Sequence, residues 1–237
     1  MSVLLLKLAA PLQSWGVASR FARRDTQQYP SKSGVLGLIA AAQGRRRTDP
    51  IEEQLVGLAF GVRIDQPGTL IRDFQTAVSL DGRTQYPLSQ RYYLADAVFV
   101  AAIEGDPTLL HAIRDALSRP EFPLYLGRRS CPVTEPLTLG EPQDRTLSEA
   151  LKDPNTWQAA TWYKRKQPAT VHLPIFRDQT LEDTPGVLTD RVRDVPISFD
   201  PVRREYGWRT VITDHTRVEN SLGRDRNHDP FAAFGGA

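Results

Sequence analysis

The run Leu124-Tyr125-Leu126-Gly127-Arg128-Arg129-Ser130-Cys131-Pro132 gathers groups able to hold an anion. A guanidinium is a planar fork of donors that fits phosphate, and the serine adds a hydroxyl. Glycine lets the backbone come close to a ligand or take a positive φ, and successive N–H groups in such a turn form a nest for negative charge. Two further clusters share this chemistry. Arg20, Arg23 and Arg24 stand among Phe21 and Tyr29, which puts charge for a nucleic acid backbone beside rings for its bases. Ser31-Lys32-Ser33-Gly34 opens an apolar stretch that reads as a helix, and the free N–H groups and dipole of a helix start favour a phosphate. Each cluster also has a plainer explanation: solvated loops for the arginines, ordinary capping for the serines. The pattern G-x-x-x-x-G-K-[ST] is absent, so the helix start is not a nucleotide-binding P-loop.

Groups for proton transfer or metal binding are sparse. The four histidines, His111, His172, His215 and His228, are scattered along the chain, and Tyr29 and Lys32 have no histidine near them in sequence. The single cysteine, Cys131, excludes an internal disulfide and any cysteine-based zinc site, which fits a reducing cytosol. No metal or cofactor is expected. Of the 30 basic residues only Lys7, Lys32, Lys152, Lys164 and Lys166 are lysine. Such an excess of arginine suits phosphate contact and base stacking, and equally a GC-rich genome. No apolar run approaches the roughly 18 residues of a membrane helix, and no signal-peptide pattern opens the chain. A cytoplasmic protein is expected.

The elements that must position these groups follow from hydrophobic periodicity and turn residues. Residues 2–9 predict a buried strand, 35–42 a helix capped by Ser31 or Ser33, and 55–64 a second strand. A long hairpin is expected over about 73–94, turning at Asp81-Gly82. Residues 95–103 predict a third strand. Asp106-Pro107 starts a second helix with Leu109, Leu110, Ile113 and Leu117 on its apolar face, and 133–139 predict a fourth strand. Strand, helix, strand, strand, helix, strand is the ferredoxin-like order, an α+β fold whose open sheet face binds RNA in RNA-recognition modules. Residues 1–140 are therefore expected to form one domain. Residues 141–237 are expected to form an accessory β region with strands near 170–176, 193–199 and 206–213, a capping box at Thr146-Leu147-Ser148-Glu149, and a basic tail.

Five segments, in order, resemble one family. They are Leu8-Ala9-Ala10-Pro11-Leu12-Gln13-Ser14-Trp15-Gly16, Tyr29-Pro30-Ser31-Lys32-Ser33-Gly34-Val35-Leu36-Gly37-Leu38, Arg72-Asp73-Phe74-Gln75-Thr76, Tyr93-Leu94-Ala95-Asp96-Ala97-Val98-Phe99 and Tyr125-Leu126-Gly127-Arg128-Arg129-Ser130-Cys131-Pro132. The chain resembles the Cas-five RAMP subunits of type I-E CRISPR effector complexes (Cascade). The resemblance implies a ferredoxin-like, RRM-like RAMP fold with a protruding thumb hairpin. It implies a protein that grips and caps the 5′ handle of CRISPR RNA, with the backbone subunit and the large subunit as neighbours and target DNA reached only through the complex. The residues expected at the handle are Gln13, Trp15, Arg20, Arg24, Ser31, Lys32, Ser33, Arg128, Arg129 and Ser130, with Arg91 on the thumb. Lys32, Arg128 and Arg129 would grip phosphate, and Trp15 would stack on a base or be buried. A sister branch of the family cuts precursor RNA without metal, so a metal-independent endoribonuclease is the alternative. A single-stranded RNA binder unrelated to CRISPR is a third.

Overall fold

The structure is a computed structural model, and it describes residues 1–16, 23–180, 183 and 187–223. Arg20 and Phe21 lie outside the described residues, as do His228 and the end of the basic tail. In chain order the elements are β1 (Ser2–Ala9), β2 (Leu12–Gln13), β3 (Arg23–Arg24), α1 (Lys32–Ala42), α2 (Glu53–Val56), β4 (Ala59–Gln66), β5 (Thr69–Val78), β6 (Gln85–Ala95), β7 (Val98–Gly105) and α3 (Pro107–Ser118). They continue with α4 (Leu147–Lys152), a 3₁₀ turn (Pro154–Thr156), α5 (Thr161–Lys164), β8 (Thr170–Asp178), β9 (Thr189–Ser198) and β10 (Glu205–Glu219). The fold is a mixed α+β arrangement built on antiparallel pairing. A six-stranded sheet runs in the order β1-β7-β4-β8-β10-β9, and a smaller sheet joins β2, β6, β3 and β5.

The caps act as their residue types dictate. The Ser31 hydroxyl accepts from Gly34 N at the start of α1, Asp106 caps α3 ahead of Pro107, and Thr146 and Glu149 close a reciprocal capping box on α4. The hairpin is longer than expected: Thr69 pairs with Ala95 at its base and Val78 with Gln85 near its tip. At the turn Gly82 takes φ +72°, and the Asp81 carboxylate accepts from the Ser79 hydroxyl and from Arg83 N.

Two expectations fail. Residues 133–139 do not form a strand. They run beside β1 through isolated bridges, Leu6 to Thr138 and Val3 to Gln143, with Leu139 N donating to Leu5 O at 2.9 Å. Pro136 in the middle of the segment removes an N–H group that a continuous ladder needs. Nor does the main sheet keep an open face. On the α1 and α3 side lie Leu4, Leu6, Leu8, Ile39, Phe99, Ile103 and Ile113. On the other side Val3, Leu5, Val100 and Ala102 pack against Leu147, Ala150 and Leu151 of α4. Arg63 of β4, fully buried, locks that cover in place. Its guanidinium donates to Leu151 O, Asp153 O and Thr156 O at 2.9 to 3.0 Å while pairing with Asp65 at 2.6 Å. The β1-β7-β4 part of the sheet therefore offers RNA no exposed face. The strands expected at 170–176, 193–199 and 206–213 are present and longer, and they extend the main sheet edge to edge through β4 and β8, with Val62 opposite Phe176.

A candidate arginine-lined RNA cleft

The loop at 124–132 closes on itself. Leu126 N donates to Cys131 O and Cys131 N to Arg128 O, each at 2.8 Å, and Tyr125 bridges Pro132. Gly127 takes φ +94°, and a Cβ there would lie 1.6 Å from Ser14 O. No other residue permits that approach, which presses the loop onto the segment after β2, where Ser14 N donates to Leu126 O.

Arg128 does not reach outward. Its guanidinium donates to Tyr92 O at 3.0 Å, Arg24 O at 2.7 Å and Asp25 O at 3.3 Å, and it lies 4.7 Å from the centre of the Tyr93 ring. The Tyr93 hydroxyl meets the Ser130 hydroxyl at 3.2 Å. Arg128 is thus a staple between three segments. Arg129 beside it is exposed and has no hydrogen-bond or ion-pair partner among the described residues. Cys131 is buried, and burial pushes its thiol pKa up, so it stays a neutral thiol.

The start of α1 is also already served from within the chain. Lys32 N donates to the Asp194 carboxylate at 2.8 Å, so a side chain from β9 takes the position expected for phosphate. The Lys32 ammonium, 6% exposed, pairs with Asp178 at 3.1 Å. Arg209 joins both acids, at 2.6 Å to Asp178 and 2.6 Å to Asp194. Lys32 is therefore an internal counter-ion in this conformation. Buried charges persist where each has an opposite partner and hydrogen bonds, as these four do.

Gln13 is fully buried, donating to Leu8 O and Ala97 O and accepting from Trp15 Nε1 at 3.1 Å. Trp15 is 1% exposed and packs on Gly34, so its ring faces are not open to a base. Ser31 and Ser33 are buried at the helix start, and Ser31 is committed to the cap. Arg91 is half-buried on β6, paired in register with Arg24 of β3 and Asp73 of β5. Arg24 is exposed.

What the structure brings together is broader than the sequence indicated. A cleft of about 640 Å³ is lined by Arg24 and Arg128, by Arg45, Arg46 and Arg47 just after α1, and by Arg193 and Arg204 of the C-terminal region, with Asp25 the only acidic lining residue among the described residues. The run Arg45-Arg46-Arg47 looks like a solvated turn in sequence, and nothing local marks Arg193 or Arg204. Their one signal is the arginine excess itself. Phe199, Tyr206 and Tyr125 add rings to the lining. Such a surface offers dense positive charge with aromatic faces, the combination that single-stranded nucleic acid requires.

No described histidine lines the cleft. His111 is 3.5 Å from Glu141, and the His172 and His215 rings lie 5.4 Å apart on β8 and β10. Tyr29 stacks on Phe176 at 4.2 Å, and burial pushes its pKa up. Among the described residues no three His, Cys, Asp or Glu side chains gather as a metal site, and no helix is long and apolar enough to cross a membrane.

Comparison with known proteins adds independent findings. The family described as CRISPR-associated protein (Cas_Cas5) matches residues 3–212. The CRISPR system Cascade subunit CasD of Escherichia coli (strain K12) is 34% identical over 171 residues, spanning 63% of this chain and 75% of that relative. A chain from a solved CRISPR RNA-guided surveillance complex superposes with TM-score 0.69 at 34% identity, covering 97% of each chain. A crystal structure of a Cas protein superposes with TM-score 0.62 at 32% identity, covering 94% of this chain and 97% of the other.

Proposed function

The chain belongs to the CRISPR-associated Cas5 family, and on that premise we propose that it is a non-catalytic, RNA-binding subunit of a type I-E effector, Cascade. In this reading it grips and caps the 5′ handle of CRISPR RNA in the cytoplasm. It joins the backbone and large subunits and meets target DNA only through them. The observation that carries the reading is the cleft in which seven arginines outnumber one acid. Among the residues that the resemblance implies, Arg24, Arg129 and Ser130 are exposed and available to RNA, while Gln13, Trp15, Lys32 and Arg128 support them from inside.

The finer architecture belongs to the same proposal. Residues 137–143 flank β1, which pairs with β7, which pairs with β4, and that order supports a ferredoxin-like RAMP domain over 1–140. The β5–β6 hairpin would be its thumb, and 141–237 its accessory extension. Against the endoribonuclease reading, the two groups nearest to general acid–base work are engaged: Tyr29 in a ring stack and Lys32 in an ion pair.

The test incubates the full chain, alone and co-expressed with its partner subunits, with end-labelled CRISPR repeat RNA in EDTA. Native and denaturing gels are run in parallel. Retained, uncut RNA that is lost when the handle sequence changes is the expected result. A specific cut would overturn the non-catalytic reading, and no retention in either form would overturn the RNA-binding one.

A further inference from the structure

The cleft joins parts of the chain that lie far apart in sequence. Arg46 and Arg47 are exposed and have no ion pair among the described residues. Arg193, exposed on β9, donates through Nε to Tyr206 O at 2.9 Å, which fixes its direction and leaves its terminal nitrogens for another acceptor. Arg204 lies in the turn before β10 and lines the same space. The C-terminal extension thus contributes charge to a cleft whose other walls come from the first half of the chain.

Between these arginines the cleft is lined by α1. The outward face of a surface helix ordinarily carries polar and charged side chains. Here the partly exposed positions of α1 are Gly34, Gly37, Ala40 and Ala41, all of which line the cleft. None of these four positions offers a side-chain donor; Trp15 packs at Gly34 and Phe199 at Gly37, which leaves Ala40 and Ala41 as the small uncovered positions of that face. The volume is that of a small-molecule pocket, which suits a short stretch of one strand.

We propose that the cleft holds single-stranded RNA in a two-part phosphate grip, one part Arg46 and Arg47 behind α1 and the other Arg193 and Arg204 of the C-terminal extension. The sugar–phosphate chain lies against α1 at Ala40 and Ala41, beside Phe199. The arginines and the cleft carry this inference. It rests on the RNA-binding reading above and adds that the extension supplies part of the site. It also assigns these four arginines to sequence-tolerant backbone contact, leaving base discrimination to other residues.

The test uses whichever form, isolated chain or co-expressed complex, retains RNA in the gel assay. If neither retains it, the reading and this inference fall together. Affinity is measured against salt for single-stranded handle RNA, a scrambled strand of equal length and a duplex. The double variants are Arg46→Gln/Arg47→Gln and Arg193→Gln/Arg204→Gln, with thermal melts as the folding control. Each pair is expected to flatten the slope of log K against log salt by about 1.4, since each phosphate contact contributes about 0.7 on a single strand. The loss should be equal for handle and scrambled RNA, and the duplex should compete poorly. An unchanged slope in either double variant overturns the two-part grip. If Arg129→Gln weakens binding in the same series, the RNA-binding reading stands without it. A handle-only effect, or equal competition by duplex, overturns the backbone or the single-strand part of the inference.

Discussion

At the scale of single residues, neighbouring arginines of the same loop have opposite duties. Arg128 spends its guanidinium on three backbone carbonyls and the Tyr93 ring, whereas Arg129 is exposed beside it. Arg128→Ala removes donors from one part-buried and two exposed carbonyls and should cost about 1–2 kcal/mol, a fall in melting temperature of about 2–8 °C. Arg129→Ala should leave the melt within about 0.5 kcal/mol and instead flatten the salt dependence of RNA binding by about 0.7. Equal melts for the two variants would remove the staple. Gly127→Ala should be more damaging than either, because its Cβ would meet Ser14 O at 1.6 Å and its φ is +94°. Asp183 gives a pH signature. The Arg177 guanidinium bonded to it holds its carboxyl far below the usual carboxylate range. A depressed folded pKa stabilises the protein above the unfolded value of about 3.9, and that contribution fades as pH falls toward the folded pKa. Asp183→Asn should therefore melt below the parent at pH 7, and the gap should narrow as pH falls below about 4.

At the scale of elements, Arg63 decides which face of the sheet is available. It is wholly enclosed, bonded to Asp65 on its own strand and to three carbonyls of the segment 151–156. Arg63→Met leaves Asp65 buried without its counter-ion, a change that costs about 3–5 kcal/mol when one partner of a buried pair is removed. The double change Arg63→Met/Asp65→Leu should recover part of the loss, and melts of the three proteins measure it. The sequence read these elements unevenly. Caps and turns were legible because their chemistry is local: Ser31, Asp106, Thr146 with Glu149, and Gly82 each sit where their side-chain oxygens or backbone freedom place them. The segment 133–139 falls short of a strand because Pro136 in its middle has no N–H to give a ladder. The cover over the second sheet face was invisible because it depends on Arg63 meeting residues nearly ninety positions away. The candidate site was half legible for the same reason. Arg24 and Arg129 announce themselves in clusters, but the Asp194 carboxylate on Lys32 N and the convergence of Arg46 with Arg193 are tertiary facts.

At the scale of the whole molecule, the C-terminal region is both scaffold and wall. β8 pairs with β4 and carries β10 and β9 outward, so the sheet that starts at β1 ends on the last strands of the chain. The same region supplies Asp178, Asp194 and Arg209 to the start of α1, and Phe199 to the outward face of that helix at Gly37. A fragment of residues 1–140 therefore loses the neighbour of β4, the cover over Val3, Leu5, Val100 and Ala102, and the acids that neutralise Lys32. Exposed strand edge and apolar face together favour aggregation over a native state. The fragment is expected to be insoluble, or soluble without fixed near-ultraviolet dichroism and quickly cut by protease, while the full chain resists. A separately expressed 141–237 segment added during refolding should restore protection if the two parts form one sheet. A fragment 1–140 that melts cooperatively by itself would show that the first half holds its fold without the extension, and would reduce the extension's part to lining the cleft.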